Sequence, residues 1–263
     1  MAPPLDVALL RCELVDTGLW REVRVVDQTG STNADVGALA RSGEPTGLVL
    51  VAEHQAAGRG RLDRVWTAPP RSGLSFSVLL RPVGVPVSAW SLLPLLVGVS
   101  VASAVRAVAG VEVGLKWPND LLIGERKLGG ILAERVESTG GAVVVVGVGL
   151  NIGLRERELP VPTATSLVLA GAGNVDRTAI LSAILRVLAD EYARWLAAAG
   201  DGVRLLGLYR ELCVTLGRDV RVELAGAQTI EGRAVDVEPD GSLIVESLRN
   251  RRSISAGDVV HVR

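Results

Sequence analysis

Lysine is nearly missing from this chain. Its 263 residues hold 28 lysines and arginines together, and only Lys116 and Lys127 are lysine, so 28 − 2 leaves 26 arginines. Aromatic residues are scarce as well, at 3 % of the chain. The core must therefore be Val, Leu, Ala and Ile, and a hydrophobic content of 48 % supplies enough of them for a sizeable interior. The net charge is −1 and there is no run of basic residues, which argues against wholesale attraction to nucleic acid. The two cysteines, Cys12 and Cys213, lie far apart and outside any metal spacing, which fits a reduced, cytoplasmic compartment.

An export signal is also lacking, because "MAPPLDVALLRCELVD" has acidic residues where a signal needs an apolar run. No charge occurs between Arg81 and Arg106, but Pro82, Gly84, Pro86, Pro94 and Gly98 interrupt that stretch. A membrane span wants about 20 predominantly apolar residues. The stretch reads as a buried core helix with Ser88 as its N-cap. His54 and His261 are not spaced for metal binding or for a catalytic triad, and no metal site is expected from the protein's own side chains. There is no Walker-type phosphate loop, internal repeat or low-complexity segment.

What is present reads as one large unit and one small one. Domains usually run about 100–200 residues. After a short, partly helical lead-in over 1–24, "VRVVDQTG" reads as a strand and "STNADVGALARSG" as a cap and a helix ending at Gly43. "GLVLVAEHQ" and "LSFSVLLRP" read as strands on either side of "AAGRGRLDRVWTAPPRSG", a loop with no apolar period. "VGLKWPNDLLIG" and "KLGGILAERV" read as strands around a turn, and "GAVVVVGVGLNI" as a buried strand. "GLRERELPVPTATSL" is a charged loop. "DRTAILSAILRVLADEYARWLA" is a helix capped by Asp176, and "VRLLGLYREL" is another. From about Thr215 the texture changes to short alternating runs split by turns such as Pro239-Asp240-Gly241, which suits a small antiparallel barrel of about 50 residues.

Several stretches have chemical readings beside plain structural ones. "GRGR", Gly58 to Arg61, offers forked cations for phosphate or carboxylate, or is a solvated flexible loop. "GSTN" is a helix N-cap or a polar ligand contact. Gly147-x-Gly149 lacks the following helix of a dinucleotide fingerprint, so these glycines are read as letting a ligand or another backbone approach the sheet closely. Trp66 and Trp117 are core residues or covers for a ligand. A general preference for arginine explains the absent lysines but not two that persist in "GLKWPNDLLIGERKLGG". Lysine is a compact point charge and arginine a planar fork. A crowded anion-handling site would keep the first and reject the second.

Taken in order, Gly30-Ser31-Thr32-Asn33, "AEHQAAGRGR" with Trp66, "LKWPND", "RKLGGILAE", "GVGLN" and "ATSL" resemble the biotin protein ligases, or holocarboxylase synthetases. The resemblance covers most of residues 25 to 170, together with the barrel-like C-terminus. It implies an α+β fold: a mixed β-sheet with helices packed largely on one side, like the class II synthetases, followed by a small SH3-like β-barrel. The division is expected at 1–213 and 214–263. It also implies ATP and biotin as substrates, Mg²⁺ with the nucleotide, and a biotin carboxyl carrier domain of an acyl-CoA carboxylase as partner. Biotin is activated as biotinyl-5'-adenylate and passed to one lysine of the carrier.

By the same resemblance, Ser31, Thr32, Asn33, Gln55, Arg59 and Gly60 surround biotin. Arg61 and Lys127 stand by the carboxylate and α-phosphate, and Trp66, Lys116, Asn119 and Asn151 lie near the nucleotide. Asp120 is the candidate acceptor of the incoming amine's proton, with metal ligation or turn capping as its rival roles. Only about 24 residues precede the first strand, too few for a helix-turn-helix. The expected form is therefore the enzyme alone, without DNA or membrane, as a monomer or weak homodimer. A lipoate–protein ligase and a non-catalytic vitamin-binding regulator are the alternatives.

The loop over 58–64 has little to bury and is expected to be mobile without ligand. Biotin with ATP should order it through Arg59 and Arg61, and should close the loop from Leu154 to Thr163 over the adenine. Limited proteolysis should show both segments protected when the two substrates are added. Equal cleavage with and without them contradicts this.

Overall fold

Asp6 caps the first helix, α1 (Val7–Leu14), by accepting from Leu9 N at 2.9 Å. The computed structural model describes residues 2–15, 17–173, 175–224, 228–247 and 250–262. Strand β1 (Glu22–Val26) leads to α2 (Thr32–Arg41), whose chain turns at Gly43 with a positive φ of 91°. Strand β2 (Leu48–Ala52) is buried along its whole length. The stretch read as an unstructured loop contains a small hairpin, β3 (Gly58–Arg59) with β4 (Val65–Trp66), around a 3-10 turn. Two-residue strands are too short to show a period, so the hairpin left no signal in the sequence.

Strand β5 (Gly73–Leu80) precedes α3 (Leu93–Ala109). Ser88 is not the N-cap of α3. Val87–Leu92 forms a 3-10 helix, and the α-helix starts only after it, with Pro94 in its first turn. Proline fits there because its missing N–H would be unpaired in any case. The span Val87–Ala109 is apolar enough by composition to cross a membrane, with a mean hydropathy of 2.0 and 72 % burial of its most apolar window inside the fold. Strands β6 (Gly114–Lys116) and β7 (Asp120–Ile123) make the expected "VGLKWPNDLLIG" strand a hairpin in its own right, because Pro118 cannot donate to a ladder. Then come β8 (Arg126–Val136) and β9 (Val143–Asn151).

Helix α4 (Arg177–Ala197) is capped, as expected, by Asp176, which accepts from Thr178 N at 2.8 Å. Helix α5 (Val203–Leu212) leads into β10 (Asp219–Glu223), β11 (Thr229–Val237), β12 (Leu243–Ser247), β13 (Asn250–Ile254) and β14 (Asp258–His261).

The large sheet has seven strands in the order β1-β2-β5-β9-β8-β7-β6. It is mixed: β1 and β2 are parallel and the remaining pairs are antiparallel. One face carries Phe76, Val78, Val144, Val146, Val148 and Ile131 into the main core with α1, α3 and α4. The other face is only half covered: α2 packs Val36 and Ala40 onto Leu50, Leu79, Val143 and Val145. The C-terminal strands form an antiparallel sheet, β13-β12-β11-β10-β14, in which the last strand returns to pair with the first. Its interior residues Val220, Val222, Ala234 and Val245 are continuous with the main core. Trp117, left open as core or ligand cover, is core: it is 2 % exposed, and its Nε1 donates to Gly241 O at 2.9 Å.

A buried ion pair pins the end of β2. Arg177 Nη1 lies 2.5 Å from Glu53 Oε2, with the two side chains 5 % and 4 % exposed. Glu53 Oε1 accepts from Leu5 N at 2.8 Å, and Arg177 donates to Pro3 O and Gly73 O. One pair thus ties the N-terminal segment, β2, β5 and α4 together. Arg177→Ala strands a buried carboxylate, so it should cost about 3–5 kcal/mol. Urea unfolding should show this as a lower midpoint without a change in slope.

Candidate active site

The uncovered half of the sheet face is shaped by alternation along β9. Val143, Val145, Gly147, Gly149 and Asn151 point to this face, while Val144, Val146, Val148 and Leu150 point to the core. The strand therefore changes from apolar to bare to polar along its length. A Cβ at Gly147 would overlap the side-chain amide of Asn33, and one at Gly149 would overlap the indole of Trp66. The close approach expected of these glycines is real, and the groups that approach are side chains.

Over Gly147 lies a polar cluster at the N-terminus of α2. Ser31 holds the N-cap position but makes no capping bond with its side chain, which leaves that hydroxyl to the cavity. Gln55 Oε1 accepts from Thr32 N at 2.8 Å, and Ser77 Oγ lies 2.7 Å from Thr32 Oγ1 and 2.6 Å from Asn33 Oδ1. Asn33 Nδ2 donates to Leu132 O at 3.1 Å and to Glu134 Oε2 at 2.7 Å. Arg59 Nη2 reaches the same carboxylate oxygen at 3.2 Å.

The cationic part of the site depends on a bulge. Leu121 pairs with Gly129 but Leu122 pairs with Lys127, so Leu128 is an extra residue in β8. Without it, Lys127 would have the parity of Gly129 and Ile131, whose face packs on the helices. The bulge turns Leu128 into the core, 0 % exposed, and turns Lys127 onto the face of Leu122, Gly130 and Leu132. Lys127 Nζ then meets Asp120 Oδ1 at 2.6 Å, above Gly130. The Lys127 backbone is clamped to the 163–165 segment through Thr163 O at 2.7 Å and Thr165 N at 2.8 Å. Arg61 donates to Asn119 Oδ1 at 3.0 Å, and Asn119 is itself held by Ile131.

Apart from Ser77 and Glu134, which stand behind the wall, these polar and charged side chains line one cavity of about 940 Å³. Every candidate from the sequence is on its wall: Ser31, Thr32, Asn33, Gln55, Arg59, Gly60, Arg61, Trp66, Lys116, Asn119, Asp120, Lys127 and Asn151. Burial lowers the Lys116 pKa; Asp120 opposes the shift and Lys127 adds to it. Among the described residues, Trp66 Nε1 and Asn151 Oδ1 are buried without a hydrogen-bond partner. Both residues line the cavity, but these two atoms are themselves buried, as are the equally unpartnered hydroxyls of Tyr192 and Tyr209 in the core.

Sequence reasoning missed one whole wall. Arg218, Asp258 and His261 come from the C-terminal sheet. Arg64 is ion-paired with Asp258, Arg61 donates to Gly257 O at 3.4 Å, and Arg218 meets Glu125 at 2.7 Å. The His261 pKa is lowered by burial, with Lys116 and Arg218 adding to the shift. Nothing in the local pattern of β10 or β14 indicates this wall. Ser77 was legible in principle, as a serine on the Leu79 side of the otherwise apolar "LSFSVLL". Glu134 was not, because its two partners are distant in sequence.

Comparison with known proteins agrees with this geometry. Residues 25–151 match the biotin/lipoate A/B protein ligase family, and residues 215–262 match the biotin protein ligase C terminal domain. The chain is 45 % identical to the biotin--[acetyl-CoA-carboxylase] ligase of Mycobacterium tuberculosis, across 100 % of this chain and 98 % of that protein. It is 30 % identical to the bifunctional ligase/repressor BirA of Bacillus spizizenii, across 89 % of this chain and 72 % of that one. The biotin protein ligase of Aquifex aeolicus, solved in complex with biotin and ATP, superposes with a TM-score of 0.76 at 26 % identity, covering 93 % of this chain and 100 % of that one. A seven-stranded sheet with a bare glycine strip, a bulged lysine and a C-terminal sheet closing the cavity is thus the frame of an acyl-activating ligase, and the chain belongs to the biotin/lipoate A/B protein ligase family.

Gly147→Ala should displace Asn33 while leaving the helix-packed face of the sheet intact. The expected result is a KM for the family's acid substrate raised about tenfold, equal to about 1.4 kcal/mol, with a far-UV circular dichroism spectrum like that of the parent protein. An unchanged KM contradicts the close-approach reading.

Proposed function

We infer that this chain is an ATP-dependent biotin–[biotin carboxyl carrier protein] ligase. The observation that carries the reading is the cavity itself: the uncharged polar groups of Ser31, Thr32, Asn33 and Gln55 lie over Gly147, and Lys127 lies over Gly130, two residues back along β8, with Arg61 near it beside Asn119. Leu132, beside the cluster, and Gly130, under Lys127, are two residues apart, about 7 Å along the strand. A ligand with an uncharged polar head and a carboxylate tail fits that spacing. The Aquifex relative was solved with biotin and ATP, which supports the same ligands here.

In the first half-reaction a biotin carboxylate oxygen attacks the α-phosphorus of ATP, and pyrophosphate leaves. Two anions must meet, so positive charge already placed beside the meeting point lowers the barrier. Lys127 and Arg61 supply it. Both are held by neighbours before the ligand arrives, Lys127 by Asp120 and Arg61 by Asn119. Ser31, Thr32, Asn33, Gln55, Arg59 and Gly60 bind biotin. Trp66, Lys116, Asn119 and Asn151, which line the cavity, bind the nucleotide.

Mg²⁺ fits as an ion brought by the nucleotide. It usually takes one or two carboxylates beside the phosphates, and Asp120 and Asp258 both face the cavity. When bound, it would neutralise phosphate charge. In the second half-reaction the amine of a carrier lysine attacks the mixed-anhydride carbonyl carbon, and AMP leaves. A free lysine has a pKa of about 10.4, so its proton must be taken up. Asp120 accepts it once Lys127 has turned to the phosphate.

The acceptor is the carrier domain of an acyl-CoA carboxylase, met in the cytoplasm by a monomer or weak homodimer. The functional division is 1–213 for catalysis and 214–263 for the C-terminal unit, whose β14 closes the cavity.

The test is to mix the protein with ATP, Mg²⁺, biotin and a carrier domain. One carrier lysine should gain the mass of a biotinyl group. Lipoate in place of biotin should not support ATP–pyrophosphate exchange; if it does so better than biotin, the lipoate reading replaces this one. Lys127→Arg keeps the charge but brings a larger planar head to a crowded phosphate. Adenylate formation should fall at least about tenfold, which needs only about 1.4 kcal/mol of lost transition-state stabilisation.

A further inference from the structure

The Asn33 amide is a group whose orientation decides what a ligand meets. Its Oδ1 lies 2.6 Å from Ser77 Oγ, and its two N–H protons go to Leu132 O at 3.1 Å and Glu134 Oε2 at 2.7 Å. An inverted amide would set Oδ1 against a carbonyl and a carboxylate, neither of which can donate. Asn33 is 5 % exposed, so water cannot readily replace a lost partner. Gly147 leaves no space beneath it for any further side chain. The amide is thus held with its donors facing β8 and its carbonyl oxygen toward Ser77, with one lone pair still free.

We propose that Glu134 is a positioning residue for the acid substrate: its carboxylate fixes Asn33 as a hydrogen-bond acceptor and contacts Arg59 beside it. Glu134 Oε2 is the shared atom, receiving Asn33 Nδ2 and Arg59 Nη2 at 2.7 and 3.2 Å. Arg59 belongs to β3, a two-residue strand paired with β4, and its half-exposed contact with Glu134 is weak, so the positioning acts chiefly through Asn33. Glu134 joins that hairpin to β8, in the middle of the sheet. A substrate N–H that donates to Asn33 Oδ1 therefore finds its acceptor preset, and the ordering cost of the site is met before binding. Glu134 is not on the cavity wall and acts through the residues that are.

This inference rests on the reading that Asn33 and Arg59 bind biotin. The experiment is ATP–pyrophosphate exchange at varied biotin and varied ATP, with thermal unfolding alongside, for the parent protein, Glu134→Ala and Glu134→Gln. Glu134→Ala should raise the KM for biotin about tenfold, with kcat and the KM for ATP within about threefold of the parent values. Glu134→Gln keeps an acceptor for Asn33 and should recover most of that KM, while losing the charge that contacts Arg59. If Glu134→Ala leaves the KM for biotin unchanged, the inference fails. It also fails if kcat and the unfolding temperature fall while that KM stays put, since that pattern marks a purely structural role. Should Glu134→Ala not fold, Glu134→Leu, which removes the acceptor while filling the space, is judged by the same readout, and a folded Glu134→Leu protein with an unchanged KM for biotin overturns the inference. Biotin-independent exchange by the parent protein overturns the functional reading and this inference together.

Discussion

Two positions on β9 can carry no side chain, and the site is arranged around that constraint. Asn33 and Trp66 occupy the space that Cβ atoms at Gly147 and Gly149 would need. Glycine weakens a strand by about 0.5–1 kcal/mol relative to alanine. Here the loss is offset by ladders on both sides, since β9 pairs with β5 along eight residues and with β8 along eight. The most heavily paired strand of the sheet is therefore the one that can best carry bare positions. Placing the glycines on an edge strand would have left them without that support.

The charges around the cavity follow a second pattern. Lys127 is held by Asp120, Arg59 by Glu134, Arg64 by Asp258 and Arg218 by Glu125. Their cationic side chains are between about one third and two thirds exposed, so each pair contributes about 0–1 kcal/mol. An arriving anion can displace such partners at little cost. Glu53–Arg177 differs: both side chains are almost wholly buried, and the pair serves as a fixed post. The molecule thus keeps its strong electrostatic contact where nothing must move, two residues from Gln55, and its weak contacts where ligands arrive.

Much of the fold was legible because local physics decided it. Asp176 before an apolar helical period, Gly43 after one, the two-residue alternation of β5 and the apolar run of β9 all express backbone and burial preferences that need no distant partner. The errors fall where a local signal was overruled or too short. Ser88 was a plausible cap, but Pro94 moved the helix start to Leu93. The β3–β4 hairpin is too short to show a period. The "KWPND" segment turns within what read as one strand.

The sequence by itself singled out, through short motifs that resemble a known family, the residues that the structure gathers on one cavity wall, the two lysines above all. It also determined the bare strip, since glycine at every second position of an apolar strand has few other uses. Only the tertiary structure decided that Lys127 faces the cavity. The extra residue at Leu128 reverses the alternation of β8, and a bulge is a property of how two strands pair, invisible in either strand alone. The same holds for Glu134, Arg218 and Asp258: their partners lie some 75 to nearly 200 residues away in the chain, and only packing brings them together.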